Sequence, residues 1–289
     1  MLDFFRRLTG RKSSRVALAL GSGGARGLAH IPVLEAFDEL GIKPSAIAGC
    51  SMGAVVGAGY AAGMSGREIR TFAVESLRKQ GDFARRLLSM QWESLRERWR
   101  EKRSLGEFSM QVEAAGIAQE FLPAALPKTF EELRIPLAVV ATDFHARSEA
   151  VYRSGLLRPA VAGSMAIPGM LRPVEFDGRV LIDGGAVNPL PFDLLRHDAD
   201  IVVAVDITRL RDVPGGIPDP IQILFMATDI MTHSIVLEKL KSAAPDILLR
   251  PNVSAFGALD FPRALPILKA AEPIKEELKQ KLGRLLDQQ

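Results

Sequence analysis

Short apolar runs alternate with longer segments of helical periodicity along most of this chain. The apolar runs are almost uninterrupted by polar residues, as expected of strands that are buried on both faces. We predict strands over 16–20, 46–49, 136–142, 180–182, 201–207 and 246–250, the fourth entered through a hairpin at Asp177 and Gly178. We predict helices over 28–40, 52–62, 156–166, 218–242 and 264–286, and a helical insertion from 65 to 126. This alternation indicates an α/β fold with three layers, α/β/α, around a mostly parallel central sheet.

Length and composition fit one domain of this kind. The chain has 289 residues, of which 47% are hydrophobic, and a mean hydropathy of +0.11. We expect a basic amphipathic tail over 1–14 and a single domain over 15–289, with 65–130 as an inserted segment and candidate lid. No apolar run reaches the roughly 18 residues that a membrane span requires, and no signal-peptide stretch precedes Arg6. Cys50 is the only cysteine, so an internal disulfide is excluded and a cytoplasmic protein is expected.

Positive charge is concentrated in two segments, although the whole chain carries only +3. Residues 1–15 hold five basic side chains and one acidic one. Residues 67–103 hold eleven basic side chains and six acidic ones. The tail, with Phe4 and Phe5 among its arginines, suits a membrane interface or a frayed terminus equally. The second segment suits a cover over a site that meets anionic lipid headgroups, or a helix with a solvated basic face. A transient contact with the inner membrane face is therefore one expectation, whereas nucleic acid is not expected because no recognisable binding motif is present.

A serine lies between two glycines in the stretch Gly49, Cys50, Ser51, Met52, Gly53, at the junction of a predicted strand and a predicted helix. This is the sequence form of a nucleophile elbow, in which a tight turn exposes the serine hydroxyl. The helix N-terminus behind the turn stabilises developing negative charge. A start of a small-residue helix packed on a sheet explains the same five residues, so the motif needs its structural context.

Four glycines occur within seven residues directly after the first predicted strand: Gly21, Gly23, Gly24 and Gly27. The backbone amides of such a loop can turn toward an anion at the start of a helix. The spacing departs from the dinucleotide-binding fingerprint, and the lysine that a P-loop requires is missing. A transient oxyanion, formed when a serine attacks an ester, is the anion that would also use Ser51. A glycine-rich turn without a ligand is the remaining alternative.

Asp183 ends the apolar run over 180–182 and is followed by two glycines. A carboxylate held there against a serine hydroxyl and partly desolvated would be basic enough to accept its proton. An Asp-Gly turn capped by its own side chain explains the motif as well. Because Asp143 and Asp206 also end apolar runs, position at a strand end does not by itself select Asp183.

The glycine loop (Gly23–Gly27), the elbow (Gly49–Gly53) and the Asp-Gly-Gly motif (Asp183–Gly185), in that order, resemble the patatin-like phospholipase family, in particular its small single-domain bacterial members. The similarity runs from about Arg15 to about Ala271. It implies a patatin-like fold and an acyl hydrolase that cleaves lipid carboxylic esters, as phospholipases A and lysophospholipases do. The family's reaction uses a Ser-Asp dyad and an acyl-enzyme, without a cofactor, a metal or a histidine at the catalytic centre.

The resemblance also assigns residues. It makes Ser51 the nucleophile and Asp183 the base, with Gly49 and Gly53 shaping the elbow. It places the oxyanion hole at the backbone amides of the glycine loop: Gly23, Gly24, Ala25 and Arg26.

The four histidines provide an independent test: His30, His145, His197 and His233. A hydrolase triad in the order Ser, Asp, His could use only His197 or His233, and neither lies in a loop after a predicted strand. The alternatives are therefore a Ser-His-Asp esterase, thioesterase or acyltransferase, and a non-catalytic membrane-docking module. The particular lipid, its chain length and the oligomeric state are left open by the sequence.

Overall fold

A computed structural model describes residues 14–79, 112–113, 122–208 and 220–287 of the chain. Its strands are β1 (Val16–Leu20), β2 (Ile47–Cys50), β3 (Val112–Glu113), β4 (Leu137–Asp143), β5 (Ser148–Tyr152), β6 (Leu171–Arg172), β7 (Val174–Phe176), β8 (Arg179–Asp183), β9 (Ile201–Val205) and β10 (Ile247–Leu249). Its α-helices are α1 (His30–Leu40), α2 (Met52–Ala61), α3 (Gly66–Lys79), α4 (Leu157–Ser164), α5 (Pro220–Ser242), α6 (Ala264–Ala271) and α7 (Ile274–Asp287). Short 3₁₀ turns cover Gly24–Ala29, Phe130–Glu132, Gly184–Ala186, Phe192–Leu195 and Phe261–Arg263.

The central sheet of the described residues has the strand order β10-β9-β1-β2-β4-β8-β7, and β5 also pairs with β4. The strands from β10 to β4 are parallel. The strands β5, β7 and β8 are added to this parallel part in antiparallel pairings. Outside this sheet, β3 and β6 form a two-residue parallel pair. The sheet is therefore mixed and mostly parallel.

Side chains of the parallel strands are buried on both faces of the sheet, which explains their continuous apolar sequence. In β1, Val16, Leu18 and Leu20 belong to the larger core cluster, which also contains apolar residues of α1, α2, α6 and α7. The small residues Ala17 and Ala19 face the other side, where they pack in a cluster with Phe192 and Val236 among others. Helices thus cover both faces, and the α/β fold predicted from the sequence is confirmed.

Two predicted elements differ from the structure, and one observed strand is missing from the prediction. The predicted helix over 264–286 is two helices, because Pro273 lacks an N–H group and its ring interrupts the helical hydrogen-bond ladder. The helix predicted from 28 begins as a 3₁₀ turn and becomes α-helical at His30. Strand β5 is absent from the predicted elements because its sequence, SEAVY, begins with two exposed polar residues and leaves only three apolar residues as a signal.

The insertion is described in part. Helix α3 lies within the segment predicted to be helical, but the structure has turns rather than helix over 122–126. Strand β3 (Val112–Glu113) also lies within the segment predicted to be helical, so the prediction is wrong there too. Residues 80–111 and 114–121 of the predicted insertion, and residues 1–13 of the predicted tail, lie outside the described residues. None of the helices among the described residues is long and apolar enough to cross a membrane.

Candidate active site

Ser51 occupies the turn between β2 and α2 in a backbone conformation that is unusual for a residue with a side chain. Its φ is 53° and its ψ is −122°. A non-glycine residue in such a region costs about 1–3 kcal/mol and persists only where the surroundings hold it. Here the Ser51 amide donates to Ser164 Oγ at 2.9 Å, and the Ser164 hydroxyl donates to the Val140 carbonyl at 2.6 Å. Helix α4 therefore helps to fix the turn.

The two glycines of the elbow are required by close packing. A Cβ atom at Gly53 would overlap the carbonyl oxygen of Leu20, and a Cβ at Gly49 would lie 2.6 Å from the carbonyl oxygen of Gly53. Helix α2 thus lies against β1 and β2 more closely than any side chain would permit. This is the strand-turn-helix context that the five-residue motif needed.

The sheet topology explains why Asp183 meets Ser51, 132 residues away. Along β4, Val140 pairs with Cys50 at the end of β2, and the next residue, Ala141, pairs with Asp183 at the end of β8. Because β5 pairs with β4 at both positions, it occupies the opposite edge, so β2 and β8 share one edge. One of these two strands is parallel to β4 and the other antiparallel, and their C-terminal ends therefore face each other.

The contact between the two side chains is direct. The Ser51 hydroxyl donates to Asp183 Oδ2 at 2.6 Å, and the Gly185 amide donates to Asp183 Oδ1 at 2.7 Å. Ser51 is 4% exposed and Asp183 is 9% exposed. Burial raises the pKa of the Asp183 carboxyl to about 6, although both hydrogen bonds oppose this change. Asp183 is therefore mostly ionised at neutral pH and more basic than an exposed aspartate.

The glycine loop packs against the elbow. A Cβ at Gly27 would overlap the Met52 side chain, so the loop can approach the start of α2 only with glycine there. Gly24 has a φ of 57°, in the left-handed region that favours glycine, and a Cβ there would overlap the carbonyl oxygen of Ala258. The loop is thus held between the elbow and the segment around Ala258.

The structure distinguishes among the four amides predicted for the oxyanion hole. The Ala25 amide already donates to the Ala258 carbonyl at 2.7 Å, and the Arg26 amide donates to the Gly23 carbonyl at 3.2 Å. Within the described ranges, the amides of Gly23 and Gly24 donate to no protein acceptor. An oxyanion can therefore be bound by Gly23 and Gly24, whereas the Ala25 and Arg26 amides are engaged elsewhere.

The Arg26 side chain supports the loop from behind. It is 2% exposed, its Nε donates to the Gly23 carbonyl at 3.2 Å, and its Nη2 forms an ion pair with Asp229 at 2.5 Å. The ion pair joins the loop to α5. Sequence reasoning missed Asp229, although it is the only charged residue between positions 220 and 237 and such a lone charge on an apolar helix indicates a partner. It also missed Ser164, for which no comparable signal exists.

The other two aspartates at strand ends have different partners. Asp143 Oδ1 accepts from the amides of His145 and Ala146, which makes it the cap of its own turn. Asp206 accepts from Thr208 and from the Arg250 guanidinium. Of these three candidates, Asp183 is the one that contacts Ser51.

No imidazole lies between Ser51 and Asp183, because their oxygens are in direct hydrogen-bonding contact. His30 is fully buried and contacts the Gly21 carbonyl through Nε2 at 2.8 Å, and burial lowers its pKa to about 4. His233 lies 3.4 Å from the Thr208 hydroxyl. Among the described residues, no three His, Cys, Asp or Glu side chains form a cluster suited to a metal ion.

Comparison with known proteins gives the family. The family model described as patatin-like phospholipase matches residues 18–196, which include all three motifs. An NTE family protein of Mycobacterium tuberculosis, itself described as uncharacterized, is 38% identical over 221 residues, which cover 74% of this chain and 55% of that protein. Lysophospholipase NTE1 of Cryptococcus neoformans is 35% identical over 219 residues, 72% of this chain and 12% of that protein.

A structural comparison with VipD from Legionella pneumophila gives a TM-score of 0.45 at 14% identity, over 92% of this chain and 67% of VipD. The chain spans about half the length of the mycobacterial relative and a smaller part of the fungal one. The family model nevertheless covers well over half of this sequence. The chain therefore belongs to the patatin-like phospholipase family.

Proposed function

We propose that this protein is a serine acyl hydrolase that cleaves carboxylic esters of lipids, in the manner of a phospholipase A or lysophospholipase. One observation carries the proposal: the 2.6 Å hydrogen bond from the Ser51 hydroxyl to a buried carboxylate, Asp183, at a strand-to-helix elbow. Family membership supports it, as does the lysophospholipase name of the fungal relative. A serine with a base in direct contact is the arrangement that nucleophilic catalysis requires.

In the proposed reaction, Asp183 accepts the proton of Ser51 as the serine oxygen attacks the ester carbonyl carbon. The amides of Gly23 and Gly24 and the N-terminus of α2 stabilise the oxyanion. When the intermediate collapses, the bond to the alcohol oxygen breaks, and protonated Asp183 returns the proton to the leaving alcohol. An acyl-Ser51 ester remains. Water then attacks this ester with Asp183 again as the base, which releases the fatty acid and restores the serine.

The test of this proposal is hydrolysis of p-nitrophenyl butyrate by Ser51→Ala and Asp183→Asn. Each substitution is expected to lower kcat/KM by roughly a thousandfold or more, because nucleophile and base act as a unit. Asp143→Asn is the matched control, since it removes the charge of another strand-end aspartate that does not contact Ser51. This control is expected to stay within a few-fold of the wild type.

Labelling by a fluorophosphonate probe, followed by peptide mapping, adds a second measurement. The proposal expects the label on Ser51. An Asp183→Asn protein with near-wild-type turnover would contradict the dyad, and loss of activity in His197→Ala or His233→Ala would favour a Ser-His-Asp enzyme. A folded wild-type protein that takes no label and hydrolyses no ester would favour the non-catalytic docking module.

A further inference from the structure

An apolar pocket lies between α2 and α3, beginning at the residue that follows the nucleophile. Helix α2 contributes Met52, Val55, Val56 and Gly59 to its wall, and α3 contributes Phe72 and Ser76 among others. No charged side chain lines the pocket, and Ser76 is its one polar side chain among the described residues. A phosphate or other charged headgroup would find no counter-charge there, whereas a hydrocarbon chain would lose contact with water.

The spacing of the α2 residues shows how the pocket runs. Positions 52, 55, 56 and 59 recur at the helical period, so they form one stripe along the helix. The stripe extends over seven residues, about 10 Å at 1.5 Å per residue. The other side of α2 packs on the sheet, because Gly53 contacts Leu20 and Gly57 faces Ile47. The pocket therefore follows the side of α2 that faces away from the sheet. It begins at Met52 and extends along the helix in the direction that leads away from Ser51.

Helix α3 returns antiparallel to α2 after a short connection, and this fixes the two ends of the pocket. A Cβ at Gly59 would lie 3.6 Å from the Ile69 side chain, so these residues are level near the connection. Ser76 lies two helical turns further along α3 and lines the same pocket as Met52. Gly59 thus lies at the deep end of the pocket, beside the connection, and Ser76 lies toward the other end, which begins at Met52 next to Ser51.

Met52 joins this pocket to the reaction centre. Its side chain lines the pocket and also contacts Gly27 of the glycine loop. We propose that the pocket binds the fatty acyl chain of the ester. The size of the side chains at Gly59 and Ser76 then sets the length of acyl chain that the enzyme accepts. This inference depends on the proposed function, because the chain must be attached to the carbonyl that Ser51 attacks.

The absence of a side chain at Gly59 is the feature that leaves the deep end open. The contacts of an added Cβ there, at 3.6 Å, are ordinary van der Waals contacts, so a larger residue enters the pocket without striking backbone. Substitution of a helical glycine also raises the helix propensity of the segment. A Cβ added at Gly283 in α7 would meet no described atom within 4 Å, so this position provides a control with the same gain.

The experiment measures kcat/KM for p-nitrophenyl esters from butyrate to palmitate. In Gly59→Met, the ratio of kcat/KM for the longest esters to kcat/KM for butyrate is expected to fall at least tenfold, because the added side chain fills the deep end. In Ser76→Leu, the loss should begin at shorter chains, because this substitution fills the pocket nearer to Ser51. Gly283→Met and Thr71→Leu, which is on the exposed side of α3, should leave the profile unchanged.

A wild-type chain-length profile in folded Gly59→Met and Ser76→Leu would overturn the inference while leaving the proposed hydrolase intact. Phe72→Ala should have the opposite effect. It enlarges the pocket and should therefore raise kcat/KM for the longest esters. Should no ester be hydrolysed at all, the proposed function fails, and binding of a fluorescent fatty acid then tests the pocket. Binding should persist in Ser51→Ala and weaken at least tenfold in Gly59→Met, and equal binding in both would refute the pocket.

Discussion

The two ends of the Ser51–Asp183 hydrogen bond come from parts of the sheet that are built differently. Ser51 follows a fully buried parallel strand and has a strained backbone, with φ at 53°. Asp183 ends an antiparallel strand in which exposed and buried positions are mixed, and its backbone, at φ −49° and ψ 131°, is relaxed. Its side chain carries the unfavourable feature instead, because the carboxylate is buried and its pKa is raised.

The difference shows that one site can combine two kinds of destabilisation. At Ser51 the cost is conformational and would be the same at any pH. At Asp183 the cost is electrostatic, and it appears only when the carboxylate is ionised. Each can be changed by a single substitution, which makes the comparison testable.

The largest expected effect is on stability in Asp183→Asn. A rise in pKa from 3.8 to about 6 on folding corresponds to about 3 kcal/mol of destabilisation above pH 6, because the ionised form is favoured in the unfolded chain. Asparagine retains the shape without the charge. Urea unfolding should therefore show Asp183→Asn to be more stable than the wild type at neutral pH.

The pH dependence of this stability difference provides a control, because its direction follows from the raised pKa of Asp183. The folded wild type binds the proton more tightly than the unfolded chain, so its disadvantage should shrink as the pH falls through about 6 and disappear below about 4. A stability difference that stays constant from neutral pH to about pH 4 would show that packing, rather than burial of charge, separates the two proteins.

The next effect is on activity. In the proposed reaction Asp183 must be ionised to accept the serine proton, so kcat/KM should rise with pH and level off above about 6. At one pH unit below this midpoint, the rate should be about tenfold below the plateau. Stopped assays with a short ester measure this, with circular dichroism at each pH to confirm the fold. A midpoint near 7 that disappears in His233→Ala would instead implicate an imidazole.

The smallest effect concerns the backbone of Ser51. Ser51→Gly and Ser51→Ala both remove the proposed nucleophile, but glycine adopts a positive φ without strain, whereas alanine keeps the strain. After the entropy of glycine in the unfolded chain is subtracted, Ser51→Gly should be more stable by about 1 kcal/mol. Thermal unfolding of the two inactive proteins provides the measurement. Equal stability would mean that the elbow holds no conformational strain at this residue.

The sequence predicts the parallel part of the fold better than the antiparallel part. Strands such as β1 and β9 are buried on both faces, so their burial is visible as an apolar run. Strand β5 has exposed polar side chains at its start and buries only Ala150 and Tyr152, which is too short a pattern to predict a strand. Pro273, by contrast, is a visible signal that the C-terminal helix is interrupted.

For the candidate site, motifs indicated candidate residues but not their contacts. The Ser51–Asp183 distance depends on the register of β4, which pairs residues far apart in the sequence and cannot be obtained from local pattern. The hydrogen bond from the Ala25 amide to the Ala258 carbonyl likewise joins residues far apart in the sequence. Local sequence therefore predicted the glycine loop, whereas only the structure distinguished Gly23 and Gly24 within it.

The end-to-end meeting of β2 and β8 on one edge of β4 has a consequence for the order of assembly. A slip of β8 by a single residue would turn the Asp183 side chain to the opposite face of the sheet. A chain in which only the parallel strands have docked would hold Ser51 in place but would lack the carboxylate that the proposed reaction requires. Under that proposal, recovery of turnover during refolding should lag behind the return of helical signal, since β8 must pair with β4 before Asp183 reaches Ser51.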